Sequence, residues 1–178
     1  MIYYISPSKT MKVNHLEALP QGPFFLTKKP SEILRAQLLS YSAKDLEILY
    51  KVSDKVAQNA YELIRIQESG RAVDLFEGLV FKNLDYKSLE ARQMAYIDET
   101  LFIGSALYGV VSANQRLRPY RLDLENPVTF EGQPLTQFWS KKVTDALIKH
   151  DSDTIVDLAS EEYSALLDLS RLSKKKTV

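Results

Sequence analysis

Three short apolar runs along the chain have the length and composition of buried β-strands. They cover residues 2–5, 101–103 and 154–159 and contain many β-branched and aromatic side chains. A turn signal follows each run, because Pro7 comes after the first, Gly104 after the second and Ser160 after the third. Helical periodicity occupies much of the chain between them. This order predicts an α/β fold in which short helices pack around a small, mainly parallel or mixed sheet.

Helical periodicity is clearest between residues 31 and 64. Apolar residues recur there in three groups, and Ser31, Ser42 and Ser53 stand at the expected N-termini. Asp45 follows Ser42 by three residues, which is the spacing of a capping box. The first apolar stripe consists of Ile33, Leu34, Leu38 and Leu39. These short helices are expected to pack as hairpins.

The remaining segments give weaker signals. The pattern predicts a long surface loop over residues 11–30, a helical turn at 72–76 and an apolar link at 78–81. It predicts an amphipathic helix over 86–98 and a half-exposed strand at 122–124, with a turn at Asn126 and Pro127 across which Phe130 pairs back. A further helix runs through Phe138 and Trp139 and ends at His150.

Composition favours one globular domain over residues 1–178 and excludes several kinds of site. The 23 basic and 23 acidic residues cancel, so any polyanion must be bound by a local patch. The absence of cysteine excludes disulfides, thiol nucleophiles and thiolate metal sites. No apolar run approaches the roughly 20 residues of a membrane span, and the first residues do not read as a signal peptide. We therefore expect a cytoplasmic protein without a membrane partner.

The candidate site lies where the three predicted strands end. Parallel strands bring their carboxyl ends to one edge, here residues 6–9, 104–109 and 160–163, and ligands of such sheets bind there. Ser6 and Pro7 end the first strand and present Lys9, whereas Gly104 and Gly109 supply the turn after the second. The chain then carries three closely spaced cations, Arg116, Arg118 and Arg121.

Each of these basic residues has two interpretations. The arginines could bind phosphate in a bidentate manner, or Arg116 and Arg121 could pair with Asp123, Glu125 or neighbouring carboxylates on a surface hairpin. Lys9 could bind an anion, or be a solvated loop lysine. Likewise, Tyr108 could stack on a base, or lie in the core with its hydroxyl at the rim.

Catalytic and metal sites receive little support. Asp157, Glu161 and Glu162 form a dense carboxylate group, but neither His15 nor His150 stands at ligand spacing to a partner. No arrangement of nucleophile and base is suggested either. The sequence therefore predicts no catalytic residue, no metal site and no cofactor, and leaves enzymatic activity open.

Six segments, in order, resemble the YaaA family of peroxide-stress proteins. They are ISPSK at 5–9, SDKVA at 53–57, LYGV at 107–110, RPYRL at 118–122, QFW at 137–139 and LASEEY at 158–163. The resemblance implies a cytosolic bacterial protein of the hydrogen peroxide response that limits iron-dependent damage. It also implies an α/β body with a positively charged cleft, a helix-hairpin-helix element at residues 43–64, and DNA binding. The cations then expected to face this cleft are Lys9, Lys55, Arg116, Arg118 and Arg121.

The resemblance carries two further expectations. Members of the family continue beyond the LASEEY segment through further strands and a basic motif, so we expect the chain to lack the family's C-terminal segment. An uncovered sheet edge would then favour self-association. The alternative function is that of an enzyme or binding protein for a small phosphorylated ligand in the same cleft.

Overall fold

The computed structural model describes residues 1–14, 16–18, 26 and 28–173, and the backbone of 176–177. The strands, in chain order, are β1 Ile2–Ile5, β2 Thr10–Met11, β3 Gly70–Arg71, β4 Phe76–Glu77, β5 Leu101–Ser105, β6 Gly109–Ser112, β7 Arg116–Leu117, β8 Thr129–Phe130, β9 Gln133–Pro134, β10 Thr154–Asp157 and β11 Lys176–Thr177. The helices are α1 Lys28–Leu39, α2 Ala43–Tyr50, α3 Asp54–Leu63, α4 Ala72–Leu75, α5 Leu79–Leu84, α6 Ala91–Thr100, α7 Leu135–Lys149, α8 Glu161–Ser164 and α9 Leu169–Leu172, with a 3₁₀ turn at Tyr86–Ser88.

The main sheet is mixed, and the fold is α/β as predicted. Its strands lie in the order β11, β10, β1, β5 and β6 within the described chain. The pairs β11–β10, β10–β1 and β1–β5 are parallel, whereas β6 returns antiparallel to β5 as a hairpin. The three strands predicted from apolar runs are thus confirmed as β1, β5 and β10. Every residue of β5 is buried, which explains its continuous apolar character.

The helix α7 covers the β6 side of this sheet. Its apolar face includes Trp139, whose indole N–H donates to the carbonyl oxygen of Ala106 over 2.8 Å. The Trp139 ring lies so close to Gly109 that a Cβ there would come within 2.7 Å of it, and Gly109 has a φ of +78°. Glycine is therefore required at this position for both space and backbone conformation. Among the described residues, no helix is long and apolar enough to cross a membrane.

The first helix differs from its prediction. It begins at Lys28, so Ser31 is not an N-cap and instead donates its hydroxyl to the carbonyl oxygen of Lys28 inside the helix. Pro30 is tolerated because the first turn has no intrahelical acceptor for its N–H. Of the predicted stripe, Leu34 and Leu38 are buried, whereas Ile33 is 47% and Leu39 36% exposed. The buried face also includes Arg35, which the stripe does not contain.

The helices α2 and α3 form a hairpin close to the predicted bounds. Ser42 and Asp45 make the predicted capping box, with Asp45 N–H donating to Ser42 Oγ over 3.1 Å and Ser42 N–H donating to Asp45 Oδ2 over 2.8 Å. Ser53 stands at the N-cap of α3 but makes no side-chain cap hydrogen bond. The link between the helices passes through Lys51, which adopts the left-handed conformation.

Four other predictions are wrong in detail. Residues 79–84 form the helix α5 instead of an apolar link, and the helix predicted at 86–98 begins only at Ala91, after the 3₁₀ turn. Residues 122–124 are buried but form no strand, because side-chain oxygens of Asn126 and Glu162 bind backbone N–H groups there. Phe130 pairs across a turn at Glu131 and Gly132, both with positive φ, and not across Pro127.

The N-cap residues of α2 and α3 provide a test of helix stability with an internal control. Replacing Ser42 by alanine removes a cap hydrogen bond and is expected to lower the free energy of unfolding by about 1 kcal/mol. Ser53→Ala removes an N-cap side chain that makes no such bond, so its effect should be smaller. Urea unfolding of both variants measures the difference. Equal losses would show that the Ser42 bond contributes nothing specific.

Candidate functional site

The carboxyl ends of β1, β5 and β10 meet at one edge of the sheet. Ser6, just after β1, donates its hydroxyl to Ser160 Oγ over 3.0 Å and accepts the Ser160 N–H over 2.7 Å. Tyr4 donates its hydroxyl to the carbonyl oxygen of Tyr163 over 3.1 Å. Gly104 of β5 lies under both tyrosines, where a Cβ would be 2.6 Å from Tyr4 Oη and 2.8 Å from Tyr163 Cδ1. These contacts fix the start of α8 against the edge.

The three predicted arginines have different surroundings. Arg116 pairs with Glu17 at 3.1 Å and donates to the carbonyl oxygen of Ser69. This agrees with the ion-pair interpretation, with Glu17 as the partner in place of the two carboxylates named above, Asp123 and Glu125. The partly exposed Arg118 donates to Gln67 Oε1 over 2.9 Å.

Arg121 connects the arginine segment, residues 116–121, to the Lys9 loop, residues 6–9 between β1 and β2. Its Nη1 donates to the carbonyl oxygen of Lys9 over 3.0 Å, while its buried Nε has no hydrogen-bond partner among the described residues. The hydroxyl of Tyr50, at the end of α2, donates to the carbonyl oxygen of Arg121 over 2.9 Å. The Lys9 loop, the arginine segment and the α2–α3 hairpin are therefore in direct contact.

Two carboxylates lie at the same edge. Asp123 is only 9% exposed, and its Oδ2 is 3.7 Å from the ammonium group of Lys9. Glu162, in the first turn of α8, accepts the N–H groups of Leu124 and Glu125 at its Oε1, over 3.0 and 3.4 Å. The pKa of Glu162 is raised, first by burial and then by the charge of Asp123.

Two buried tyrosines, Tyr120 and Tyr163, interact electrostatically with these carboxylates. Tyr163 is 3% exposed, and its hydroxyl has no hydrogen-bond partner within the described part of the chain. Burial, followed by the nearby Tyr120, Asp123 and Glu162, raises the pKa of Tyr163 far above its ordinary value. Tyr120 is itself buried, with its hydroxyl 2.6 Å from Ser105 Oγ, and burial raises its pKa as well. The Tyr163 hydroxyl therefore stays protonated at physiological pH.

We refer to this group of side chains as the carboxyl-edge cluster. It consists of Ser6, Lys9, Arg121, Asp123, Ser160, Glu162 and Tyr163. It combines two cations, two carboxylates and hydroxyl groups. Such a set can donate hydrogen bonds to an anion and accept them from hydroxyl or amino groups.

Other predicted site residues lie elsewhere. Tyr108 is buried, donates its hydroxyl to the carbonyl oxygen of Arg118 over 3.3 Å and packs edge-on against Tyr120. This matches the core alternative, and its ring has no free face for a base. Lys55 is exposed in the first turn of α3. Of the supporting turn residues, Ser6 and Pro7 are partly exposed, whereas Gly104 and Gly109 are buried within strands.

Asp123 and Tyr163 are functional candidates that sequence reasoning did not single out. The sequence presents Asp123 only as an ion-pair partner for arginine. Of the three carboxylates that it places near the end of the third strand, Asp157 accepts the N–H of Ala159, Glu161 is exposed and Glu162 binds the N–H of Leu124. No group of three or more potential metal ligands occurs in the described ranges. A usable signal did exist, because the ISPSK and LASEEY segments contribute Lys9, Glu162 and Tyr163, and RPYRL directly precedes Asp123.

Comparison with known proteins decides the family. The family model described as "Peroxide stress protein YaaA" matches residues 1–178. The chain belongs to the YaaA family. It is similar to UPF0246 proteins of Finegoldia magna (31% identical, 89% of this chain and 63% of the relative), Clostridium botulinum (33%, 92% and 67%) and Rickettsia felis (28%, 97% and 71%). This YaaA-family chain thus spans about two thirds of the length of these relatives.

The different surroundings of the arginines predict different effects on stability. Arg116→Met breaks the contacts with Glu17 and Ser69 and should lower the free energy of unfolding by about 1–2 kcal/mol. Arg118→Met removes the same charge but only the contact with Gln67, and should change stability by about 0.5 kcal/mol or less. Thermal and urea unfolding compare them. If Arg118→Met is the more destabilised, the structural role given to Arg116 is wrong.

The raised pKa of Glu162 predicts that the free energy of unfolding depends on pH. Because the folded state holds this proton more tightly than the unfolded state, the unfolding free energy falls as pH rises from about 4.3 through the folded-state pKa. Glu162→Gln removes that dependence, so its stability relative to the parent should increase with pH over this window. Urea unfolding from pH 4 to 7 tests the sign, with the exposed Glu161→Gln as the charge-matched control. A relative stability that does not vary with pH would contradict it.

Proposed function

We propose that this chain acts in the cytoplasmic response to hydrogen peroxide by binding DNA without sequence preference, and so helps to limit iron-dependent damage. The observation that carries this proposal is the contact between three predicted DNA-binding segments. The hydroxyl of Tyr50 and the side chain of Arg121 join the α2–α3 hairpin, the arginine segment and the Lys9 loop. The name of the matching family supports the link to peroxide stress.

Exposed positive charge on these segments suits phosphate contacts. The Lys9 side chain is 58% exposed, Arg118 is partly exposed, and Lys51 and Lys55 are exposed on the hairpin. Because the chain has no net charge, binding rests on these local cations and not on a long-range field. Contacts of this kind hold the DNA backbone and carry little sequence information.

The start of α3 adds backbone donors to the same surface. A helix leaves its first N–H groups without intrahelical acceptors, and the Ser53 side chain does not cap them here. Lys55 stands in this turn and adds a positive charge. An approaching phosphate would thus meet backbone N–H groups and a lysine together, which is the usual chemistry of anion binding at a helix start. Asp54 in the same turn opposes this and keeps the expected contribution modest.

The dependence of DNA binding on salt tests the proposal. With four phosphate contacts, from Lys9, Lys55, Arg118 and Arg121, log K should fall against log salt with a slope of about −3 to −4. Lys9→Ala, Lys55→Ala and Arg118→Ala should each weaken binding about fivefold, alike for unrelated duplexes, and reduce the slope by about one. Fluorescence anisotropy with labelled 20-base-pair duplexes at several salt concentrations measures both quantities.

Lys87→Ala provides the matched control, because Lys87 is exposed but lies outside these three segments. It should bind DNA as the parent does. Absence of duplex binding at low salt would overturn the proposal for this chain. An equal loss of DNA affinity in the Lys87 variant and in the three test variants would instead show diffuse electrostatic attraction without a defined binding surface.

A further inference from the structure

A DNA-phosphate surface does not account for Asp123, Glu162 and Tyr163. Carboxylates repel phosphate, and yet Asp123 lies within 3.7 Å of Lys9, one of the cations proposed to contact DNA. The Tyr163 hydroxyl is buried with no hydrogen-bond partner within the described residues, and the charges of both carboxylates act on it and raise its pKa. Burying a hydroxyl without a partner is unfavourable, and such a group in a native fold calls for an explanation.

The fold holds the Tyr163 side chain in a defined position. Its ring packs on Gly104, where a Cβ would lie 2.8 Å from Tyr163 Cδ1, and its carbonyl oxygen accepts the Tyr4 hydroxyl. The preceding residue, Glu162, is fixed by the N–H groups of Leu124 and Glu125. The hydroxyl is thus preorganised, as groups that recognise a ligand commonly are.

The neighbouring groups define the chemistry of a fitting ligand. Lys9 and Arg121 supply positive charge, and the buried Arg121 Nε is a second donor without a partner in the described chain. Asp123 is largely buried and supplies acceptors, while Tyr163 supplies a protonated hydroxyl. Cations suit a phosphate, whereas a carboxylate beside a tyrosine hydroxyl suits the hydroxyl groups of a sugar.

We propose that the carboxyl-edge cluster binds a small phosphorylated ligand with free hydroxyl groups, of the nucleotide or sugar-phosphate class. Lys9 and Arg121 face the phosphate, Asp123 and Tyr163 face the hydroxyl groups, and Glu162 positions the 123–125 segment. The site lies at the carboxyl ends of β1, β5 and β10, where parallel sheets ordinarily bind ligands. It does not depend on DNA binding, since Asp123 and Tyr163 have no part in that surface.

Thermal unfolding and calorimetry with defined probes test this site. AMP or ribose 5-phosphate, at up to about 5 mM, should raise the melting temperature in a concentration-dependent manner. Adenosine, which lacks phosphate, and inorganic phosphate, which lacks hydroxyl-bearing carbons, should raise it much less. Comparison of AMP with ribose 5-phosphate distinguishes the nucleotide from the sugar-phosphate source.

Tyr163→Phe provides the sharpest variant, because it removes one oxygen atom that has no partner in the described structure. The unliganded variant should melt at the parent's temperature or higher, while its affinity for the stabilising probe falls about tenfold. Asp123→Asn should also weaken binding of the probe. Tyr96→Phe is the matched control, since Tyr96 is 48% exposed and its hydroxyl, 3.4 Å from the Tyr3 hydroxyl, belongs to neither proposed site.

The outcomes separate this site from the DNA surface. Tyr163→Phe should retain duplex binding, and Lys55→Ala should retain probe binding, so either proposal can fail alone. The proposed site is overturned if neither phosphorylated probe raises the melting temperature. It is also overturned if inorganic phosphate alone raises the melting temperature by the same amount. Unchanged probe affinity in Tyr163→Phe, or a marked loss of stability in the unliganded variant, overturns the role given to the hydroxyl.

Discussion

The buried guanidinium of Arg35 fixes the arrangement on which the candidate surface depends. Its Nη2 donates to the carbonyl oxygens of Ile64, Ile66 and Pro119, over 2.8, 3.1 and 3.1 Å. Arg35 is 4% exposed, and its Nε and Nη1 have no hydrogen-bond partner among the described residues. Burying a charge is costly unless hydrogen bonds replace water, and here the three carbonyl oxygens bound to Nη2 do so. One side chain thus holds α1, the end of α3 and the arginine segment together.

This arrangement determines which cations remain available to a ligand. Pro119 is held by Arg35, so the neighbouring Arg118 and Arg121 are fixed on either side of it. The pKa of Arg35 is lowered, first by burial; Tyr108 opposes this, and the positive charge of Arg118 adds to it. Two like charges close together favour an anion nearby, because it relieves their repulsion. The same packing buries Tyr108. Its hydroxyl donates to the arginine segment at Arg118, and its ring is not available to stack on a base.

Local signals made part of the fold predictable, whereas contacts between distant segments did not. Apolar runs identified β1, β5 and β10, and the Ser42–Asp45 spacing identified a capping box. The failures have long-range causes: Leu122–Leu124 looks like a strand but is bound by side chains of Asn126 and Glu162. Arg35 lies outside the apolar stripe that predicts α1. The sequence places Lys9 and Arg121 at the sheet edge. Asp123 and Tyr163 are candidates because their side chains are buried, and residue spacing does not predict that burial.

Lys9 belongs to both proposed sites, and its environment allows this. Its backbone is fixed by Arg121, whereas its ammonium group contacts Asp123 at 3.7 Å with the side chain largely exposed. The pair is half-buried, because the Lys9 side chain is 58% exposed and that of Asp123 only 12%, so separating the two leaves a buried carboxylate without its cation. Lys9 can turn to a phosphate while the loop that carries it stays in place, provided that a ligand hydroxyl group donates to Asp123 in exchange. Asp123 then loses its cation and becomes a stronger acceptor for ligand hydroxyl groups, so a phosphate and a sugar hydroxyl are better accommodated together than either alone.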